Sequence, residues 1–226
     1  MDWIAFWLSL KLGLLTVILL IPVALFTARL LATAYFPGKS LIEAVLAVPL
    51  VLPPTVVGYY LLVSLGSHSM IGQWLMQWTG QTVVFHFSGL LIASFIVNIP
   101  FAIQPIQRAF EAIPQDIRDS AACCGMSFWR SLFKVEIPLA WPGILTAIVL
   151  SFAHTLGEFG VVLMVGGSLP GETKTIAISI YDRVQAFDFN AAGQMSLILL
   201  LLSILVLAIT NALSRNFGRR HGYPER

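Results

Sequence analysis

The sequence predicts an all-α integral membrane protein whose chain crosses the bilayer five times. Three observations carry this reading. Of 226 residues, 58% are apolar and 11% charged, against about 25% charged in an average soluble domain, and mean hydropathy is +0.86. Long stretches carry no formal charge, the longest being residues 44–107. Lysine and arginine gather on one side of the segments so defined. The net charge of +2 is too small to attract nucleic acid in bulk. The adjacent Cys123-Cys124 offer no disulfide framework, and His68, His86, His154 and His221 show no metal-ligand spacing.

A hydrocarbon core about 30 Å thick takes roughly 20 apolar helical residues. Residues 12–28 are uncharged between Lys11 and Arg29, and residues 1–10 extend this first span outward. Ala32-Thr33-Ala34 has the small residues of a signal-peptide cleavage site. Met1-Asp2-Trp3 lacks a positive n-region, however, and the apolar run exceeds an h-region, so the segment is expected to remain as a span. The run 44–107 is too long for one crossing, and the polar, turn-rich stretch 66–81 divides it into spans near 44–65 and 84–107. A fourth span is expected at 141–166 and a fifth at 192–213.

Orientation follows from the cations. Of thirteen, all but Lys11, Lys174 and Arg183 fall on one side when the N-terminus is outside and the C-terminus inside. Lys11 can snorkel to the interface or attract an incoming anion. In the last outer loop, Ile176, Ile180, Val184 and Phe187 share helical spacing. That segment either caps the bundle at the interface or meets a delivery protein.

The cytoplasmic segment 109–137 predicts two short helices around a glycine corner. Pro114 suits a first turn and Asp116 the positive end of a helix dipole. The helix should pass through Ala121 and Ala122 and stop at Gly125, after which Ser127 can cap a second helix over 128–134. Such a knob either turns the chain around or offers a docking surface. Cys123 and Cys124 read as small residues at a packing face.

Asp119-Ser120-Ala121, then Gly125, then Val135-Glu136-Ile137-Pro138 resemble the cytoplasmic "EAA–G–I–LP" signature of ABC importer permeases. Asp119 stands where the family has Glu, Ser120 where it has Ala, Val135 where it has Ile and Ile137 where it has Leu. Residues 49–59 (PLVLPPTVVGY), 156–160 (LGEFG) and 170–176 (PGETKTI) resemble molybdate-type permeases, and sulfate permeases share the Gly-Glu-Phe-Gly element. The resemblance extends over residues 8–213. It implies a type I ABC importer permease fold forming a single transmembrane domain over 1–226, with a core at 8–213, an ATPase-coupling loop at 109–137 and a short tail at 214–226. It also implies a molybdate importer of the bacterial inner membrane, with two permeases, two cytoplasmic ABC ATPases that use ATP and Mg, and an extracytoplasmic oxyanion-binding protein. Coupling would run through Asp119, Ser120, Ala121, Gly125, Val135, Ile137 and Pro138. Tungstate, sulfate or another oxyanion is the alternative substrate.

The polar and kink-forming residues within the spans have two readings each. Pro49, Pro53 and Pro54 force a bend, which either packs or, with Thr55 and Gly58, lines a path. Pro100 and Pro105 predict an irregular third span holding Asn98 and Gln104. Ser151, His154 and Glu158 follow three- and four-residue spacing on the fourth span and would share a face. Ionisable groups there normally meet a cavity or a partner, so the face either borders the conduit or holds a mutually satisfied pair. Related permeases often carry Arg where this chain has His154. Like charge argues against a direct role for Glu158 in holding an anion.

The chain has neither G-x-x-x-x-G-K-[ST] nor G-x-G-x-x-G, so an ATP-driven process needs a separate ATPase chain. Five spans make half a channel, and a pore on a symmetry axis needs a second copy. An intramembrane enzyme built on His154 and Glu158 is a distant alternative, since Ser–His–Glu on one helix does not meet triad geometry. A passive assembly subunit is another.

Overall fold

The computed structural model describes residues 1–220, so the predicted tail 214–226 lies partly outside the described residues. Helix α1 (Trp3–Thr33) begins where the Asp2 carboxylate accepts the Ala5 N–H at 3.0 Å. Its buried stripe is Ala5, Ser9, Leu12, Thr16, Leu20, Ala24, Ala28 and Leu31. Trp7, Leu14, Ile18 and Phe26 cover the exposed side. A helix this apolar on its outward face fits a lipid surface.

Helices α2 (Lys39–Val51) and α3 (Pro54–Leu65) meet at 109°. A kink within one span was expected, and the observed break is far sharper. Leu52 and Pro53 each precede a proline and are held extended, at ψ 142° and 136°. The stretch read as turn-rich contains a helix, α4 (Met70–Thr79). Ser69 caps it by accepting the Gly72 N–H at 2.8 Å, and Gly80 ends it at φ +74°.

Helix α5 (Phe87–Glu111) runs unbroken through Pro100 and Pro105, contrary to the irregular span expected. Packing against α1 and against the helix over Ile137–Gly157 overrides the local cost of proline. Helix α6 (Gln115–Cys123) closes in a Schellman motif. Met126 N–H donates to Ala121 O and Gly125 N–H to Ala122 O, with Gly125 at φ +71°.

Helix α7 (Phe128–Ser131), a π-helical stretch (Leu132–Glu136) and α8 (Ile137–Gly157) form one continuous rod. The second short helix expected at 128–134 is therefore the foot of the fourth span, and Ser127 makes no side-chain cap. Pro138 supplies the reason for the π stretch. It has no N–H to donate, its ring crowds the preceding turn, and the widened turn lets Ile137 N–H donate to the Leu132 carbonyl.

That helix stops at Gly157 instead of running to 166. Glu158 is extended (φ −69°, ψ 122°), and a new helix, α9 (Gly160–Gly166), follows. Helix α10 (Ile176–Gln185) buries Ile176, Ile178 and Ser179, while Val184 and Phe187 are exposed. The apolar face expected there is thus split, buried at Ile176 and half-buried at Ile180 but exposed at Val184 and Phe187. Helix α11 (Phe189–Arg220) ends the described chain.

Among the described residues, four helices are long and apolar enough to cross a membrane, and the bent pair α2 and α3 makes up to five. The core lies among α1, α5 and α8, where Ala24, Ala28, Ala102, Ala140 and Ala147 are fully enclosed with Leu20, Ile106 and Phe110. Small residues let helices approach closely where lipid offers no hydrophobic drive. Gly143 marks a close crossing of α5 and α8: a Cβ there would run into Ala109 and the Pro105 carbonyl.

Candidate functional site

The interrupted helices meet. A Cβ added to Gly160 would stand 2.8 Å from Pro54 Cβ, and one on Gly58 would stand 2.8 Å from Met164 Cβ. The α2–α3 bend therefore packs on the α8–α9 break. Pro53, Pro54 and Thr55 are exposed at this contact, whereas Gly58 is buried under α9.

Beside it lies a polar chain. One oxygen of Glu158 accepts the Val161 N–H at 2.9 Å, which ties the carboxylate to the start of α9. The other lies 3.6 Å from His154 Nε2. His154 Nδ1 is 3.2 Å from the amide oxygen of Asn98. Asn98 Nδ2 donates to the Ser94 carbonyl at 2.7 Å and to Thr155 Oγ1 at 3.0 Å. Thr155 in turn donates to the Ser151 carbonyl at 2.8 Å. With its amide nitrogen committed as a donor, Asn98 presents an oxygen, so His154 Nδ1 carries the proton of their bond.

Phe101 stacks on the imidazole with ring centroids 4.1 Å apart. Asn98, Ser151, Thr155 and Glu158 are buried, and the His154 side chain, at 28% exposure, is where the chain of bonds reaches the surface. Ser151 Oγ is buried without a hydrogen-bond partner among the described residues. Hydrogen bonds thus join α5 to α8 through Asn98, Thr155 and His154, and Glu158, 3.6 Å from His154, carries the contact on to the foot of α9.

A second cluster sits where α1, α5, α6 and the π stretch converge. Glu136 is 1% exposed. Arg29 grips it with a fork, Nε to Oε2 at 3.1 Å and Nη2 to Oε1 at 2.8 Å. Arg118 Nε lies 3.4 Å from Oε2, and Arg118 Nη2 donates to the Phe110 carbonyl at 2.6 Å. Phe128 lies under the Arg29 guanidinium at 4.2 Å.

Above this cluster, Asp119, Ser120 and Gly125 are exposed and Ala121 is buried; Val135, Ile137 and Pro138 are half-buried along the foot of the rod. Gln115 donates to Asp119 at 3.0 Å. Cys123 and Cys124 are exposed, so they do not form the packing face expected of them. Close by, Gln107 bridges Glu43 and Glu111 at 2.7 and 2.9 Å, beside a cavity of about 360 Å³ that Gln104 helps to line. Among the described residues, no group of three or more His, Cys, Asp or Glu side chains can hold a metal ion.

The three cations that the sequence set apart from the rest are engaged. Lys11 lies 4.6 Å over the Phe87 ring, Lys174 pairs with Asp182 at 2.6 Å, and Arg183 pairs with Asp188 at 3.3 Å.

The model of the binding-protein-dependent transport system inner membrane component family matches residues 20–222. The chain belongs to this family. It is 46% identical over 207 residues to the molybdenum transport system permease protein ModB of Azotobacter vinelandii, covering 91% of each chain. It is 38% identical over 222 residues to ModB of Escherichia coli K12, covering 98% of this chain and 97% of that one. In three dimensions it is similar to a bacterial ABC transporter involved in the import of the acidic polysaccharide alginate, with a TM-score of 0.76 at 16% identity. That match covers 94% of this chain and 78% of the other, and it speaks for the fold.

In this inner membrane component, sequence reasoning overlooked Thr155, Arg29, Arg118 and Glu136. Thr155 sits one position from His154, on the side of the helix turned to α5. Glu136 was readable as a carboxylate at the edge of an apolar span that must find a cation. Its partner Arg29 lies 107 residues away in the chain, and no local pattern links them.

Proposed function

We propose that the chain is the membrane-spanning permease of an ATP-driven importer that carries molybdate across the bacterial inner membrane by alternating access. The observation that carries this reading is the 46% identity to a molybdenum permease along 91% of the chain. With the bent pair counted as one crossing, the chain spans five times, N-terminus outside and C-terminus inside. The distribution of lysine and arginine supports this orientation. The whole chain 1–226 then forms one transmembrane domain with its core at 8–213, a coupling loop at 109–137 and a cytoplasmic tail at 214–226.

In that orientation α6 faces the cytoplasm. Its exposed Asp119, Ser120 and Gly125 meet an ABC ATPase, and Ala121, Val135, Ile137 and Pro138 seat the loop on the spans. Two copies of the chain enclose the path, two ATPases supply the work from ATP and Mg, and a binding protein delivers the oxyanion from outside.

Pro53, Pro54, Thr55, Gly58, Asn98, Ser151, His154 and Glu158 form the moving region of the path. Two packed helix breaks can slide or separate without unwinding a regular helix, and the Glu158–His154–Asn98 line locks them in one arrangement. Glu158 acts on this lock and not on the cargo, because a carboxylate repels a dianion.

Competition tests the substrate. Labelled molybdate uptake into vesicles holding this chain, its ATPase and its binding protein should be blocked by tungstate and little affected by sulfate. Strong sulfate competition would move the substrate to sulfate.

A further inference from the structure

We propose that Arg118 and Glu136 form the joint through which movement of α6 reaches the spans, making Arg118 a positioning residue for coupled transport. This rests on the importer reading above.

Helix α6 is held loosely by packing. Ala121 is its buried residue, and short turns connect it at both ends. Arg118 reaches from it to two points: it donates a hydrogen bond to the Phe110 carbonyl at the end of α5, and its Nε forms an ion pair, without a hydrogen bond, 3.4 Å from the Glu136 carboxylate at the foot of α8. Glu136 is in turn locked to α1 by the Arg29 fork. One buried carboxylate thus gathers α1, α6 and α8, and Arg118 adds α5.

The π stretch gives this a second support. It places Glu136 at the meeting point, and such widened turns concentrate at functional positions in helices. Buried ion pairs contribute little net stability but fix geometry closely when a fork is bidentate. The Arg29 fork holds Glu136 in place, and the pairing of Arg118 with that fixed carboxylate makes a push on α6 displace the bases of three spans together. Without it, the turn at Ala112–Pro114 absorbs the push.

The test uses the full complex of this chain, its ATPase and its binding protein in vesicles, and reads molybdate taken up per ATP hydrolysed. Arg118→Met cuts the tie to α6 and leaves the Arg29–Glu136 fork intact. It should lower the ratio about tenfold while hydrolysis continues. Arg118→Lys keeps the buried charge but cannot serve both contacts with a planar fork, and should lower the ratio about threefold. An unchanged ratio in either variant, including uptake and hydrolysis falling in proportion, would overturn the joint. If Arg118→Met fails to assemble with the ATPase, the lysine variant decides alone. A parent complex without ATP-driven uptake would overturn the importer reading and this proposal with it. A parent that imports, with variants that keep its ratio, would overturn the joint alone.

Discussion

Pro54 and Gly160 bring two interrupted helices into direct contact: a Cβ on Gly160 would stand 2.8 Å from Pro54 Cβ and 3.4 Å from the Thr55 nitrogen. A glycine is required there because the sharp bend before α3 sits on the first residue of α9. Movement of either break is therefore felt by the other.

Gly160→Val should force these breaks apart. Overpacking costs about 1–3 kcal/mol, which is too little to unfold the chain but enough to shift a movable contact. Uptake should fall while the amount of assembled complex is maintained, as measured by transport beside size-exclusion of the solubilised complex. Parent uptake in this variant would show that the contact does not matter to transport.

Gly143 and Gly157 make a stability contrast. Gly143→Leu would drive a side chain into Ala109 and the Pro105 carbonyl at the α5–α8 crossing, whereas a Cβ on Gly157 meets nothing within 4 Å. Thermal unfolding in detergent should show a large loss for Gly143→Leu and little change for Gly157→Ala. Equal midpoints would contradict the packing described for α5 and α8.

Glu158→Gln keeps an oxygen for the Val161 N–H and removes the charge facing His154. Uptake should drop about tenfold, on the scale of coupling energies between linked sites, with folding unchanged. Unaltered transport would remove Glu158 from the mechanism.

Glu136→Ala strands two cations in a buried pocket. Removing one partner of such a cluster typically costs about 3–5 kcal/mol. The unfolding midpoint should fall sharply, more than for Arg118→Met, because the Arg29 fork is lost as well. A midpoint equal to the parent's would show that the cluster is not buried as described.

Much of this arrangement was legible in the sequence, and the illegible parts share a cause. Uncharged runs located the spans because lipid imposes a single composition on whatever crosses it. Gly125 marked the end of α6 because a left-handed closure favours one residue type. The third span misled, since Pro100 and Pro105 signal a break that packing against α1 and α8 suppresses. The fourth misled in the other sense, because nothing in Leu156-Gly157-Glu158-Phe159 announces that a hydrophobic run stops being helical. Asn98 and His154 stood out as polar groups in apolar surroundings, but their bond to each other joins different helices. The Arg29–Glu136 fork is of the same kind, fixed by tertiary structure and invisible to any local window.

The central claim is that this chain moves molybdate under the power of a partner ATPase. It is tested most directly by labelled molybdate uptake into vesicles containing the chain, its ATPase and its binding protein, with and without ATP on the ATPase side. Accumulation that requires ATP is the predicted result. No accumulation despite a stable complex and active ATP hydrolysis would contradict it.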